Sequence, residues 1–453
     1  MTGKDRLTRR DFMRTTTGAA GAAIAMRSVM LEPAPPAATP RPVAPSDTVR
    51  FGIIGVGMQG NGLLSTSIRL PGVECVAACD LYDGRHDLAK EIVDKPIATT
   101  RRYQELLDNK DVDCIIAAVP DHWHKQIVVD CCNAGKDVYC EKPMTHQVSE
   151  GFEMIAAEKK NNRIVQIGSQ RRSSIVFAKA KELIEQGAIG NVYLVEGTMG
   201  RNDPCGAWEY PPPPDLSPET LDWATWLGTA PKRPFDPIRF ARWRAYQDYG
   251  EGIPGDLFVH LLTGTHFIMG ITAPPERAHS AGGQFRWKEN GRDVPDSMTT
   301  LYEYPGFSVT IRVTLDTDAP ESTRFLGTSG ILEIHDNAVT VFAQDGLDRG
   351  PCYYTAGYAK KLRAAYVDHW QAEHAITPGT QTIIPSQSFY TPAGYNDDRE
   401  HLWNFFESVR SRRPSVEDAT FGNNTAIACH MANYSYFKKT VALWDGEKKQ
   451  IKG

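Results

Sequence analysis

Arg50-Phe51-Gly52-Ile53-Ile54-Gly55-Val56-Gly57-Met58-Gln59-Gly60 is the stretch that decides the fold. The apolar run 50–54 reads as a buried strand, and it passes at once into G-x-G-x-x-G and a helical stretch ending near Leu70. Gly55 permits the tight turn, Gly57 lets the backbone approach a pyrophosphate, and Gly60 lets helix and strand pack closely. The helix N-terminus, with Met58 and Gln59 in its first turn, attracts the phosphates. A second strand, 73–79, ends in Asp80. That carboxylate stands about 20 residues beyond the glycines, where it accepts the ribose hydroxyls of NAD and repels a 2′-phosphate. Strand, turn, helix, strand and terminal acid together predict a dinucleotide site for NAD, and Arg85 keeps NADP open.

Outward from there the βα alternation continues, with helices expected near 85–93 and 103–107, a strand at 113–119, a helix at 123–133 and a strand at 137–140. The loop Pro120-Asp121-His122-Trp123-His124 lies at the same sheet edge as the glycines. It is expected to line the cofactor cleft through Pro120, His122 and His124, with helix capping by Asp121 or His122 as the alternative. The run Lys136-Asp137-Val138-Tyr139-Cys140 ends in Glu141, Lys142 and Pro143. This places an amine and a carboxylate at the carboxyl end of a strand, where open parallel sheets bind ligands. Pro143 cannot continue the ladder and restricts Lys142, so the lysine is held in one direction. A helix at 149–161 and a strand at 164–168 then lead into Ser169-Gln170-Arg171-Arg172.

The chain has 453 residues, 41% of them hydrophobic, with a formal net charge of -5. That length allows more than one domain, and the boundaries expected are a leader 1–32, a linker 33–47, a dinucleotide-binding domain 48–170 and a substrate-binding and oligomerisation domain 171–453. Without the leader, 44 basic residues face 52 acidic ones, a balance that argues against nucleic acid as a partner. No run after the leader has the roughly 18 apolar residues of a membrane helix, so no stable membrane anchor is expected. Most of the nine cysteines fall in apolar runs and read as buried hydrophobes. Cys205 and Cys352 lie in loop-like sequence and are the two available to pair. No spacing suggests a metal site.

Gly55-x-Gly57-x-x-Gly60, Pro120-Asp121-His122-Trp123-His124, Ala134-Gly135-Lys136-Asp137-Val138 with Glu141-Lys142-Pro143, and Gln170-Arg171-Arg172 follow one another as in the glucose-fructose oxidoreductase and inositol dehydrogenase (Gfo/Idh/MocA) family, which the chain resembles over about residues 48–450. The resemblance implies an α/β architecture: an N-terminal Rossmann domain joined to an α/β domain with a large, open, mostly antiparallel sheet. Strand-like runs at 192–199, 277–281, 298–304, 307–315, 322–327, 330–335 and 338–342, several separated by glycine turns, suit such a sheet. An insertion, 203–220, carries Trp208, Tyr210 and the prolines 211–214, and is expected to fold over the cleft or onto a neighbouring subunit. A stripe of Leu402, Phe405, Phe406 and Val409 and a final helix near 417–438 read as core.

Asp256 and His260 are four apart, which on an α-helix puts both on one face. In the resembled family an Asp-x-x-x-His pair here joins the lysine of Glu-Lys-Pro as the catalytic set, and the match falls on Lys142, Asp256 and His260. A secondary alcohol yields hydride to nicotinamide only as its hydroxyl proton leaves, and histidine is a suitable base near neutral pH. His260 is expected to take the proton, Asp256 to orient its ring, and Lys142 to hold the developing alkoxide. Gly55, Gly57, Met58, Gln59, Gly60, Asp80, Pro120, His122, His124, Glu141, Lys142 and Gln170 are the expected cofactor contacts. Arg171, Arg172, Trp243, Arg244 and Tyr246 are candidates for gripping a polyhydroxylated substrate.

Thr8-Arg9-Arg10-Asp11-Phe12-Met13-Arg14, followed by the weakly apolar run 15–26, resembles a twin-arginine export signal. It implies the twin-arginine machinery as a partner, a periplasmic or extracellular location, and export in the folded state. Free NAD is scarce there, so a tightly held cofactor recycled by a second sugar is expected. The function expected is hydride transfer between NAD(P) and a ring hydroxyl of a sugar or glycoside. The alternative is an NAD-dependent glycosidase acting by transient oxidation and elimination. Relatives of that kind tend to show His-Gly-x-Gly-Pro where this chain has His260-Leu261-Leu262-Thr263-Gly264, which ranks the alternative second. A homodimer or homotetramer joined through the large sheet is the expected assembly.

Overall fold

The computed structural model describes residues 29–30, 43–335, 337–346, 350–374 and 385–453. The twin-arginine stretch and most of the linker lie outside these residues.

The first sheet is wholly parallel. Its strands are β1 (Val49–Ile54), β2 (Val73–Cys79), β3 (Ala98–Thr100), β4 (Cys114–Ala117), β5 (Asp137–Glu141) and β6 (Val165–Gly168), in the spatial order β3-β2-β1-β4-β5-β6. Strand order reverses between β1 and β4, and the crevice at such a reversal is where dinucleotides bind. β4 and β5 are buried at every residue, as a strand covered on both faces must be. The covering helices are α1 (Met58–Ser67), α2 (Gly84–Val93), α3 (Tyr103–Asp108), α4 (His124–Asn133) and α5 (Glu150–Asn161).

After α6 (Ile175–Glu185), the chain builds a second sheet from β7 (Val192–Gly200). Short helices α7 (Trp223–Leu227) and α8 (Pro237–Ala241) and the longer α9 (Val259–Met269) precede β8 (Arg277–Gly283), β9 (Ser297–Tyr304), β10 (Phe307–Thr314), β11 (Ala319–Gly327), β12 (Gly330–His335) and β13 (Ala338–Ala343). There follow α10 (Lys360–Glu373), β14 (Gln387–Tyr390), α11 (Asp397–Ser411), α12 (Ala419–Lys438), β15 (Ala442–Asp445) and β16 (Gln450–Lys452). The sheet runs β14-β13-β12-β11-β7-β10-β9-β8-β15-β16, with the strand Val29–Met30 beside β14. All its pairings are antiparallel except β7 with β10 and Val29–Met30 with β14. β9 and β12 alternate buried and partly exposed residues, the pattern of a sheet with one face on a core and one open. The covered face packs on α6, α9 and α12, with Phe177, Leu262 and Met431 meeting Val195, Ile311 and Phe325.

Two features bind the end of the chain to the first sheet. Leu402, Phe405 and Phe406 of α11 are fully buried against Phe51, Ile53 and Tyr139, so the apolar stripe is core, each aromatic being worth about 1.5–3 kcal/mol of burial. His401 adds a polar tie, with Nε2 at 2.8 Å from the Ile167 carbonyl. The α6 and α10 helices and the edge strands β14 to β16 had no clear sequence signal. Strands of three or four residues carry too few positions for a period of two to show.

Candidate active site

At the carboxyl edge of the first sheet lies a cleft of about 350 Å³. One wall is the glycine turn. Gly55 has φ +87°, and a Cβ on Gly60 would lie 2.0 Å from the Gly55 carbonyl oxygen, so the turn excludes side chains at both positions. Gly57, Met58 and Gln59 line the cleft, while Gly60 faces the strand and serves the close packing. The Asp80 carboxylate, also in the wall, accepts the N–H groups of Val56 (2.8 Å) and Tyr82 (3.0 Å). These two bonds aim it across the glycine turn and leave its remaining lone pairs for hydroxyls. An open backbone cradle with a fixed carboxylate beside it fits a dinucleotide.

Glu141 and Lys142 stand at the other end of the cleft, where β5 stops. Glu141 is buried and takes hydrogen bonds from the Gln59 amide and the Lys142 N–H, both at 3.2 Å. Burial raises its carboxyl to about 7, against the pull of Lys142 and Gln59. Lys142 Nζ lies 2.8 Å from Asp256 Oδ1 and 3.0 Å from the Asp256 carbonyl oxygen. Asp256 also accepts Arg244 Nε on Oδ1 at 3.1 Å and Trp208 Nε1 on Oδ2 at 2.9 Å. Burial works against the Asp256 charge, but Lys142 and Arg244 outweigh it and hold the carboxyl far below the ordinary range. Behind this cluster Thr145 Oγ1 meets His430 Nε2 at 2.9 Å, and His430 Nδ1 pairs with Glu251, tying the chain after Lys142 to the chain before Asp256.

The expected pairing of Asp256 with His260 is not present: both Asp256 oxygens are taken by other donors. The reason is local. Pro254–Phe258 form a π-helical turn before α9 begins. A wider turn breaks the four-residue register on which the one-face argument rests. Among the described residues, neither ring nitrogen of His260 makes a hydrogen bond. Burial drives the His260 pKa well down, and Lys142 and Arg171 push the same way. His260 is therefore a neutral imidazole with an available lone pair at pH 7.

Two other expected cofactor ligands face elsewhere. His122 is buried with Nε2 3.1 Å from the Trp226 carbonyl and Nδ1 3.3 Å from that of Tyr249. His124 is buried between the carbonyls of Pro143 (2.7 Å) and Val119 (3.0 Å). Burial lowers both to about 4. Each is a clamp on backbone, and His124 fixes the segment that follows Lys142. Pro120 does line the cleft. Gln170, in the turn after β6, is not among the residues that line it. Asp121 accepts the Glu251 N–H at 3.1 Å instead of capping a helix.

The substrate candidates divide. Trp243 and Arg244 line the cleft, with the guanidinium 4.2 Å from the indole centroid. Arg171 is not among the lining residues; it pairs with Glu321 and acts electrostatically on His260. Arg172 and Tyr246 are removed from the cleft. Arg172 is stacked between Phe267 and Phe421 and donates to the Val416 carbonyl, and Tyr246 is 1% exposed with its hydroxyl on the Asn290 carbonyl. Cys205 and Cys352 are both free and exposed.

The insertion lines the cleft as expected, whereas the lining residues Trp226 and Phe240 that follow it were missed from the sequence. Tyr210, Pro211 and Pro213 of the insertion roof it, and Trp226 and Phe240 wall it. The insertion is tied down past the roof: the Tyr82 hydroxyl donates to Asp215, Leu221 bridges to Tyr82, and Arg101 reaches the Glu219 carbonyl at 2.8 Å. The density of aromatics between Trp223 and Tyr249 was the available signal, but nothing local says which strand edge such a cluster covers.

Residues 49–169 match the family model described as oxidoreductase family, NAD-binding Rossmann fold, and residues 177–333 match the GFO/IDH/MocA C-terminal domain; together these are more than half of the chain. Inositol 2-dehydrogenase of Salmonella typhimurium is 35% identical over 152 residues, which is 33% of this chain and 45% of that protein. Myo-inositol 2-dehydrogenase of Thermotoga maritima is 30% identical over 173 residues, 37% of this chain and 48% of that one. The chain spans about half the length of these curated relatives. Among solved structures, levoglucosan dehydrogenase in complex with NADH and levoglucosan superposes with a TM-score of 0.62 at 18% identity, covering 87% of this chain and 98% of that one. Aldose-aldose oxidoreductase from Caulobacter crescentus, complexed with glycerol, gives 0.63 at 17% identity, covering 88% and 100%. At these identities the superpositions establish the fold.

Proposed function

We propose, from the premise that this chain belongs to the Gfo/Idh/MocA oxidoreductase family with its NAD-binding Rossmann fold, that it transfers hydride between NAD(P) and a ring hydroxyl of a sugar or glycoside. The observation that carries the reading is the meeting of Lys142 from the first sheet with Asp256 from the second part of the chain, 2.8 Å apart, at the end of the cleft opposite Asp80. When bound, the nicotinamide supplies the hydride acceptor. Lys142, paired with Asp256, donates a hydrogen bond to the substrate oxygen as its proton leaves. A ring nitrogen of His260 takes that proton, its neutral form secured by burial and the nearby cations. Trp243 and Arg244 present a flat apolar face and a donor edge to a polyol.

The carboxylate of Asp80 favours NAD over NADP, although Arg85 stands beside it in the cleft. The twin-arginine resemblance of residues 8–14 supports export to the periplasm or beyond. The roof of residues 210–213, pinned at Tyr82 and Arg101, supports a cofactor that stays bound and is recycled by a second sugar. The open face of the second sheet, with Leu301 exposed, supports assembly as a homodimer or homotetramer. The test is a panel of aldoses, inositols and aryl glycosides added to the purified protein, with absorbance of the reduced nicotinamide followed at its own band. Reduction without added NAD supports both the chemistry and the retained cofactor. No reduction by any sugar even with NAD(P) added refutes the dehydrogenase, and release of aryl alcohol without net reduction replaces it with the eliminating glycosidase.

A further inference from the structure

We propose that Trp208, carried by the insertion between β7 and α7, is a positioning residue for the reaction above: its indole N–H locks the Asp256 carboxylate that holds the Lys142 amine at the head of the cleft. The inference rests on the proposed dehydrogenase reading for its kinetic half only.

Trp208 is fully buried, and a buried indole N–H needs an acceptor. The acceptor here is Asp256 Oδ2 at 2.9 Å. The other carboxylate oxygen already serves Lys142 and Arg244, so among the described residues Trp208 is the sole hydrogen-bond partner of Oδ2 and sets the plane of the carboxylate. A carboxylate held through one oxygen alone can pivot, and the lysine, on its flexible four-carbon stem, would pivot with it.

The loop is built to deliver this one group. Asp203 Oδ1 accepts the Gly206 N–H at 2.8 Å and closes the preceding turn. Trp208 itself has φ +65°, a left-handed conformation that a non-glycine residue adopts only when its surroundings impose it. Arg292 supplies the imposition. Its guanidinium is buried, lies 5.0 Å from the Trp208 ring centroid and donates to the Ala207 carbonyl at 2.8 Å. Arg242 grips the next residues, donating to the Tyr210 carbonyl at 3.1 Å and pairing with Glu209. Packing alone would not require the N–H to face a carboxylate.

Replacement of Trp208 by Phe keeps an aromatic ring and removes the donor. For the panel sugar that reduces the cofactor fastest, W208F is expected to lower kcat at least about tenfold, the scale of one hydrogen bond to a charged group. NADH affinity should stay within about twofold, and the primary deuterium isotope effect on kcat should rise as hydride transfer becomes limiting. In a D256A background the same substitution should not lower the single-turnover rate further, and its loss in urea midpoint should be smaller than in the wild-type background, because only the packing share of the effect remains once Asp256 is gone. Equal losses in both backgrounds, or an unchanged kcat in W208F, would overturn the inference. The urea half of the cycle needs no turnover: coupling between positions 208 and 256 without any sugar oxidation sustains the Trp208 contact while refuting the dehydrogenase. If W208F fails to fold, W208H, which keeps a ring N–H, is read in its place and should retain most of kcat.

Discussion

Replacing Asp256 by Asn tests the charge arrangement on which the site is built. The wild-type carboxylate balances Lys142 and Arg244, with side chains only 11% and 13% exposed for Lys142 and Asp256. The neutral amide of D256N would leave two cations sharing a water-poor site, with Arg171 and Arg201 adding to the field that reaches His260. Removing one partner of such a pair costs about 3–5 kcal/mol. At ~2.1 cal/mol/K of unfolding entropy per residue, that lowers Tm by roughly 3–5 °C for a chain of this length. Lys142→Met alone should cost less, about 1–3 kcal/mol, because Arg244 and Trp208 still satisfy the carboxylate. The double variant D256N/K142M should be more stable than D256N by at least about 1 kcal/mol, since it removes the surplus cation. Urea denaturation at pH 7, followed by tryptophan fluorescence, gives all four midpoints. The sign with pH is fixed by the depressed Asp256 pKa: its contribution is present above the unfolded value, about 3.9, and is lost as pH falls below it. The gap between wild type and D256N should therefore hold from pH 7 to 5 and narrow below about 4. Equal midpoints for wild type and D256N, or a double variant as unstable as the sum of the two singles, would refute the reasoning.

Three further outcomes are expected. His124 is held neutral by burial at about 4, against roughly 6.5 unfolded, so it withdraws stability as pH falls between those values by about 1.4 kcal/mol per pH unit; His124→Gln should flatten the wild-type dependence of urea stability by one proton, and parallel curves would dismiss the clamp as described. Arg171→Gln removes a cation that depresses His260 and so raises the imidazole pKa, and the acid limb of kcat for sugar oxidation should move to higher pH; an unmoved limb would separate His260 from the proton step. Tyr82→Phe removes the hydroxyl that ties down Asp215, and NADH release in stopped-flow displacement should accelerate by roughly 5–10-fold; an unchanged rate would mean the insertion does not gate the cofactor.

The glycine turn, Asp80 and the Glu141-Lys142-Pro143 corner were legible because each depends on spacing within a single βα unit, and chain geometry alone fixes where those residues fall. The same local logic failed where the helix was not an α-helix. Asp256 and His260 have the spacing of one face, yet the π turn at Pro254–Phe258 re-aims the carboxylate toward Lys142, 114 residues earlier. Polarity misled at His122 and His124. A histidine in a loop at the ligand edge can turn outward to a cofactor or inward to an unpaired carbonyl, and the carbonyls of Trp226 and Pro143 that capture them belong to segments whose approach no local pattern encodes. Arg172 shows the same limit, since the phenyl rings on either side of it come from two different helices.

With Asp256 committed to Lys142, the imidazole of His260 has no hydrogen-bonded carboxylate to stabilise its charged form. A histidine oriented by a carboxylate would become a stronger base and would hold its proton after the hydroxyl gave it up. Here desolvation and three neighbouring cations make the protonated state costly, so a proton taken by His260 is poised to leave again. In the proposed two-sugar cycle the imidazole would have to return its proton to the second sugar, and a lowered pKa favours that return at the expense of the first uptake. The insertion thus reaches the site at two places, lining the cleft with Tyr210, Pro211 and Pro213 and placing the Trp208 indole on Asp256, so cleft shape and the position of the Lys142 amine are set by the same loop.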